Sequence, residues 1–490
     1  MNMELELEME MKKKTCIAMV PCPGHGHLIP LLEFAKRFLL HHRDGFHVTF
    51  FIPTLGPPSP STIAIINTLP SNIDFTFLPP VNIQDLHLQT DHPVPQMILT
   101  VRHTLPSLKD ALASLSSRTN LVALVLDAFS LEALYLAKEF NISSYLAFAS
   151  GAATLSFVLS FPKFDESFSS EFGSELEFLD LERTMNVPGC GYASFKVKDL
   201  PDPILFRRSG EIYTLYLSVC QKASLVDGII VNTFNDLEPE AMRALQNGSS
   251  SRSVYAVGPI VAQPNQNQDE KIHECIAWLN HQPLKSVLYI CFGSGGTISQ
   301  EQVNEIAFGL ELSGHKFLWV VRVPNKIPNS GYVIGQKEDP IQYLPPGFVE
   351  RTKEQGLVVP SWAPQIEILA HGSTGGFLSH CGWNSTLESI VHGVPMIAWP
   401  LFAEQRMNAI LLTDVLRVAV RPEGEEDGVV NREEIAKVVK RIMDHDNEEG
   451  LEMRKRIQEL SYAAAAALSE NGSSTKALSS LAHELLNKNV

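Results

Sequence analysis

The sequence predicts an α/β protein of two doubly wound parallel sheets facing a cleft, and three observations predict it. Short, continuously apolar runs recur along the chain with helix-compatible segments between them, as strands buried on both faces require. The alternation breaks at one polar stretch, PNQNQDEK at Pro264–Lys271, and then restarts, which makes two strand-and-helix series. A chain of 490 residues is also too long for one ordinary domain, while 44% hydrophobic content and a mean hydropathy of +0.02 supply a large core.

In the first series Thr15–Val20 reads as a strand. After it come a Gly/Pro loop and a helix whose Leu28, Leu31, Leu32, Ala35, Phe38 and Leu39 share one face. Pro30 is tolerated there if it lies in the first helical turn. Val48–Ile52, Leu121–Leu126 and Gly228–Val231 are further strands. The second series offers Val287–Phe292, Phe317–Val321, Leu357–Val359, Gly376–Leu378 and Met396–Trp399. The stretch from Pro324 to Pro346 is either a flap or an insertion, and the Ala-, Glu- and Lys-rich tail from Leu451 is helical. In such sheets ligands bind at the carboxyl ends of strands, so chemistry belongs at strand-to-helix junctions.

A net charge of −16 argues against non-specific binding to nucleic acid or anionic membrane. Seven cysteines at 16, 22, 190, 220, 275, 291 and 381, with no C-x-x-C pair, suit reduced thiols better than a disulfide framework or a zinc site. The N-terminus, MNMELELEMEMKKK, has no apolar signal-peptide core behind it, and no run of about 18 apolar residues occurs. A cytoplasmic protein with no membrane insertion is expected, and the N-x-S/T triplets at Asn141, Asn247, Asn384 and Asn471 are then chance matches.

The densest chemical signal lies in residues 362–405, WAPQIEILAHGSTGGFLSHCGWNSTLESIVHGVPMIAWPLFAEQ. A strand end at Gly376–His380 feeds a turn, His380-Cys381-Gly382-Trp383-Asn384-Ser385, and then a short helix, Thr386–His392, closed by Gly393. Such a turn presents free backbone N–H groups and the positive end of a helix dipole, a ready site for a diphosphate. His380, Asn384 and Ser385 add side-chain donors, Trp362 suits a flat base, and Glu388, Glu404 and Gln405 can accept bonds from sugar hydroxyls. Taken singly, these residues have structural alternatives. Ser385-x-x-Glu388 is also a capping box, and Trp362 and Trp383 can be core residues. As a constellation around one turn they point to a ligand.

This segment resembles the 44-residue donor-binding signature of plant family-1 UDP-glycosyltransferases, from W-A-P-Q through H-C-G-W-N-S to E-Q. The likeness extends from PGHGHLIPL through SVLYICFGSGGT to the tail. It implies a GT-B fold of two Rossmann-like domains, divided into a disordered extension (1–14), an acceptor-binding domain (15–257), a linker (258–271), a UDP-sugar-binding domain (272–470) and a C-terminal helix (471–490) packing back on the N-terminal domain. By the same resemblance Trp362 stacks on uracil, the backbone of Ala363 bonds it, and Gln365 and Glu388 hold the ribose. His380, Asn384, Ser385 and Ser294 contact the diphosphate, and Trp383, Glu404 and Gln405 the sugar. A terminal Gln in this signature implies UDP-glucose as donor.

In PCPGHGHLIP, His27 follows the first strand, and a dinucleotide fingerprint fails because its third glycine position is Ile29. A lone His at a helix start is more often a cap or surface residue; its place at a strand's carboxyl end and the resemblance raise His27 to the catalytic base. Neutral His suits removal of a hydroxyl proton near pH 7. Asp127, ending LVALVLD, either caps the next segment or orients that imidazole, and the resemblance implies the second. His25 reads as loop. No metal and no cofactor beyond the UDP-glucose co-substrate is expected, since the one nearby D-x-D, Asp444-His445-Asp446, follows a helix (Glu434–Met443) in an acidic stretch.

Phe129, Phe148 and the stretch Leu78–Asp85 are either acceptor walls or core. FLPP, FPKFDE and LPPGFVERT resemble the subgroup glucosylating hydroquinone, monolignols and related small phenols, which implies a small phenolic or aromatic acceptor and a monomeric enzyme. A non-catalytic UDP-sugar sensor is the alternative; it has little reason to keep His27 and Asp127 together. A transferase using another UDP-sugar stays open, and no lysine motif suggests a phosphorylase's pyridoxal phosphate.

Overall fold

The computed structural model describes residues 14–42, 45–172, 180–191, 193–206, 208–248, 252–262, 272–329, 338–424 and 428–487. The polar stretch Pro264–Lys271, nearly all of the N-terminal extension and the middle of the 324–346 stretch lie outside these residues.

In chain order the strands are β1 (Thr15–Val20), β2 (His47–Ile52), β3 (Ile73–Phe77), β4 (Asn120–Asp127), β5 (Ser143–Phe148), β6 (Thr184–Met185), β7 (Phe195–Lys196), β8 (Gly228–Val231), β9 (Ser253–Ala256), β10 (Val287–Cys291), β11 (Lys316–Val321), β12 (Gly356–Pro360), β13 (Thr374–Ser379), β14 (Met396–Ala398) and β15 (Ala419–Val420). Seven form a parallel sheet in the order β3-β2-β1-β4-β5-β8-β9, and six a second parallel sheet, β12-β11-β10-β13-β14-β15. β6 and β7 make a small antiparallel ribbon. Central strands such as β4, buried from Leu121 to Asp127, and β13, buried throughout, are enclosed because helices cover both faces of each sheet. Both sheets reverse their strand order at the first strand, between β1 and β4 and between β10 and β13, which is where doubly wound sheets open a ligand crevice.

Local sequence sets the helix ends. Ser299 caps Gln300–Ser313 by accepting from the Gln302 N–H, and Gly314, at φ 71, stops it. Asn431 caps Arg432–Met443, with Glu433 and Glu434 in its first turn and Lys440 and Arg441 in its last, matched to the helix dipole. The helix after β1 runs from His25 to His41, two residues earlier than His27, so His25 is helical and Pro30 lies in the second turn. The last helix, Ser473–Asn487, crosses to the first sheet. There Leu478, Leu481, Ala482 and Leu485 join the core of Val48, Phe50 and Tyr145. Glu484 accepts from the hydroxyls of Tyr145 (2.9 Å), Ser253 (3.2 Å) and Tyr255. Among the described residues no helix is long and apolar enough to cross a membrane.

Candidate active site

The N-terminal wall of the site is built at the first switch point. β1 and β4 lie side by side with Val20 opposite Leu126, which brings the turn after β1 next to the last residue of β4. Gly24 holds that turn at φ 121, a conformation side chains resist, and places His27 in the first helical turn. His27 Nδ1 lies 2.9 Å from Asp127 Oδ2, while Asp127 Oδ1 accepts from the Phe129 N–H at 2.9 Å. Asp127 therefore fills both roles the sequence allowed, capping the 3₁₀ helix Ala128–Ala133 with one oxygen and orienting the imidazole with the other. Its carboxylate fixes the proton on Nδ1 and leaves Nε2 as the acceptor.

Burial opposes charge on both partners. The Asp127 side chain is almost fully enclosed, yet its pKa stays below the ordinary range because His27 and the donated hydrogen bonds outweigh desolvation. Burial lowers the His27 pKa; Asp127, and then Glu404, overcome it and leave the pKa raised. The His27 side chain keeps 26% of its surface exposed, so it remains reachable from the cavity.

The C-terminal wall is a row of strand-end turns that each hold a left-handed residue: Gly293 after β10 (φ 75), Ser361 after β12 (φ 65), Cys381 after β13 (φ 63) and Ala403 after β14 (φ 54). Three are not glycine. Backbone held at a cost of order 1–3 kcal/mol is a mark of functional turns. A Cβ at Gly293 or Gly382 would lie 2.5 or 2.4 Å from the His380 ring, so both glycines are required for that ring to sit between them. Burial, and then Arg322, push His380 down to about 4, so the ring is neutral near pH 7, and its Nδ1 is buried with no protein partner.

The helix after this turn begins at Trp383, capped by Gly382, so Ser385 lies inside it and is no capping residue. Ser385 Oγ and Glu388 Oε2 instead accept from Gln365 Nε2 at 2.9 and 2.6 Å. Burial raises the Glu388 carboxyl to about 7. Trp362 is 64% exposed, with His273 edge-on at 5.8 Å; Ala363 is buried beside it. Trp383 is buried, its indole N–H donating to the Asn232 carbonyl at 2.6 Å. Gln405 Oε1 accepts from the N–H groups of Leu401 and Phe402, leaving its amide NH₂ as the group to offer a ligand. Glu404 accepts from Ser150 Oγ at 3.1 Å across the cleft.

One contact couples the two walls through a proline. Pro30 has no N–H for the Gly26 carbonyl one turn earlier, and Asn384 Nδ2 donates to that carbonyl instead, at a long 3.4 Å.

Apart from the stretch Leu78–Asp85, the predicted site residues line one cavity of about 470 Å³ between the two sheets: His27, Asp127, Phe129 and Phe148 from the first, and Ser294, Trp362, Ala363, Gln365, His380, Trp383, Asn384, Ser385, Glu388, Glu404 and Gln405 from the second. Phe129 packs against His27 with ring centroids 5.4 Å apart. The stretch Leu78–Asp85 does not reach the cavity; Val81 packs with Leu86 and Leu99 in a separate small cluster. Sequence reasoning missed Arg322 at the end of β11, which a lone basic residue closing the strand FLWVV would have flagged. It also missed His92, Thr154 and Asp202, which come from irregular or helical segments with no periodic signal; His92 Nε2 and Thr154 Oγ1 are buried with no protein partner. Among the described residues the one group with metal-ligand chemistry is Cys22, His27 and Asp127, whose ligand atoms lie within 4.8 Å of one another. Asp444 is elsewhere, bonded to His315 Nε2 at 2.9 Å.

Known proteins resemble this chain over nearly its whole length. The sequence model of the family described as UDP-glucoronosyl and UDP-glucosyl transferase matches residues 252–446. A hydroquinone glucosyltransferase of Rauvolfia serpentina is 46% identical over 475 residues, covering 96% of this chain and 98% of that protein. UDP-glycosyltransferase 72B1 of Arabidopsis thaliana is 46% identical over 95% of each chain. The solved structure of Phytolacca americana UGT2 with UDP-2-fluoroglucose and pterostilbene superposes with a TM-score of 0.86 at 44% identity, over 96% of this chain and 100% of that one. A Polygonum tinctorium UDP-glucosyltransferase capable of glucosylating indoxyl, solved with 3,4-dichloroaniline, gives 0.87 at 44%, over 97% and 100%. The chain therefore belongs to the plant family-1 UDP-glycosyltransferases, in the hydroquinone and small-phenol subgroup, and is a glycosyltransferase of GT-B fold.

Proposed function

We propose that this chain moves glucose from UDP-glucose to the hydroxyl of a small phenolic acceptor, with inversion at C1 and without a metal. The observation that carries the reading is the His27–Asp127 pair at 2.9 Å, opening onto the same cavity as the Trp362–Gln405 turns. The names of the relatives support the donor and the acceptor class: a hydroquinone glucosyltransferase, and a structure holding a fluorinated UDP-glucose beside pterostilbene.

In this reading the N-terminal domain (15–257) holds the acceptor between Phe129 and Phe148, and the C-terminal domain (272–470) holds the donor. Trp362 carries the uracil, the Ala363 backbone bonds it, and Gln365 with Glu388 takes the ribose. Ser294, His380, Asn384 and Ser385 face the diphosphate, while Trp383, Glu404 and Gln405 face the sugar. His27 Nε2 takes the acceptor's proton as the acceptor oxygen attacks C1 and the C1–O bond to UDP breaks. Asp127 stabilises the imidazolium, and such base catalysis contributes roughly 10²–10⁴-fold. Charge arriving on UDP meets the N-terminus of the helix Trp383–Val391 and the donors beside it, so no cation is required. The enzyme acts as a monomer in the cytoplasm, where its seven free cysteines stay reduced.

Turnover of UDP-glucose with a panel of phenols, in the presence of EDTA, tests this reading. A β-glucoside identified by the C1 proton coupling, at a rate EDTA leaves unchanged, is the expected product. An α-glucoside, strict metal dependence, or donor binding with no transfer to any phenol would overturn it, the last in favour of a UDP-sugar sensor.

A further inference from the structure

The acceptor half of the cavity is walled by the apolar Val94, Met97, Phe129 and Val158, with Thr154 and a polar notch at His92 among them. His92 stands there with its side chain only 10% exposed. Its Nδ1 accepts from the Val94 N–H at 3.3 Å, capping the long helix Pro93–Arg118. That bond fixes the ring as the neutral tautomer carrying its proton on Nε2, since a second N–H on Nδ1 would face the Val94 donor. Phe206 packs edge-on against the ring at 5.1 Å and holds its orientation. The Nε2–H is buried and has no hydrogen-bond partner in the protein. A buried donor left unpaired is costly, and such groups in native proteins serve a ligand or an ordered water.

Facing it is Asp202, whose carboxylate oxygen lies 3.9 Å from His92 Nε2 and whose side chain is 20% exposed. That separation is too long for a direct hydrogen bond. It fits one intervening hydroxyl oxygen at roughly 2.8 Å from each partner, accepting from His92 and donating to Asp202. A methyl group in that position would leave both protein groups unpaired.

We infer that His92 and Asp202 form a subsite for a second hydroxyl on the acceptor, remote from the one that receives glucose, so that the preferred substrates are aromatic diols rather than monohydric phenols. This rests on the acceptor reading above and adds the substrate class within it. Neither residue touches the reacting atoms; they select the substrate and set its pose. Hydrogen-bonding sites built in this way discriminate strongly against analogues that lack the bonding group, because the site's own polar atoms are then stranded.

The test compares kcat/KM for hydroquinone and 4-methylphenol, which differ by one hydroxyl against one methyl, in the wild type, His92→Phe and Asp202→Leu. The wild type is expected to favour hydroquinone by roughly tenfold or more, and both variants to bring the ratio within about threefold of unity, chiefly through loss on hydroquinone. His92→Phe also removes a helix cap, so UDP-glucose binding is measured alongside as a check of folding; Asp202→Leu leaves that cap intact. A wild-type ratio near one, as an ordered water in the notch would give, overturns the subsite while leaving phenol glucosylation standing. Folded variants that retain the wild-type ratio overturn it equally. If the wild type binds UDP-glucose and turns over neither phenol, the acceptor reading falls and the subsite falls with it.

Discussion

Asp127 engages a different group with each carboxylate oxygen, and this makes its replacement informative. Asp127→Asn keeps the shape but no longer fixes the His27 tautomer or stabilises the imidazolium, so kcat should fall by up to about 10⁴-fold. The pH profile carries a second signature. If His27 is the base it must be neutral, so wild-type activity should be lost as pH falls through the raised His27 pKa. With the Asp127 charge gone, burial acts with less opposition and lowers that pKa, and the acid limb of kcat/KM should move to lower pH. A limb that stays in place would show that Asp127 does not govern the base. At this scale the chemical residue types were legible in the sequence, because HCGWNS and GHGH are dense local signals. Their geometry was less so. Ser385 and Glu388 have capping-box spacing but meet at Gln365, a partner 20 residues from Ser385 in sequence, which no local pattern encodes.

Among the elements, strands with a continuous apolar run were legible, the edge strand β12 included, and strands without one were not. β8 is apolar throughout and β4 is apolar from Leu121 to Leu126, whereas β3 (IDFTF) is mostly exposed and β5 opens with two serines, so neither makes a continuous apolar run. Pro30 was readable as a helix residue, but its effect, a carbonyl released toward Asn384, depends on a contact between residues 358 positions apart. The final helix poses the same problem. Its amphipathic face announces packing without naming a partner, and the structure supplies Glu484 as the polar anchor between Tyr145, Ser253 and Tyr255. Glu484→Ala strands the Tyr145 hydroxyl in a fully buried position and should destabilise the protein by about 1–3 kcal/mol, read as a lower urea midpoint for the N-terminal domain. An unchanged midpoint would mean that the helix is held by its leucines alone.

In the proposed reading the whole molecule divides the reaction between two sheets: a base and a largely apolar acceptor wall on one, and a row of strained turns for the nucleotide-sugar on the other. Ser150 to Glu404 and Asn384 to Gly26 are polar contacts spanning the cleft, and both join residues that line the cavity. Burying the donor between the walls excludes water that would otherwise compete with the phenol for the sugar. This division makes a direct demand on His27, which should matter for transfer and not for holding the donor. The measurement is UDP-glucose affinity and phenol turnover for His27→Ala beside the wild type. The expected result is a Kd for UDP-glucose within about threefold of wild type and a kcat lower by roughly 10²–10⁴-fold. Near-normal kcat, or a loss of turnover matched by a loss of donor binding, would contradict the assignment.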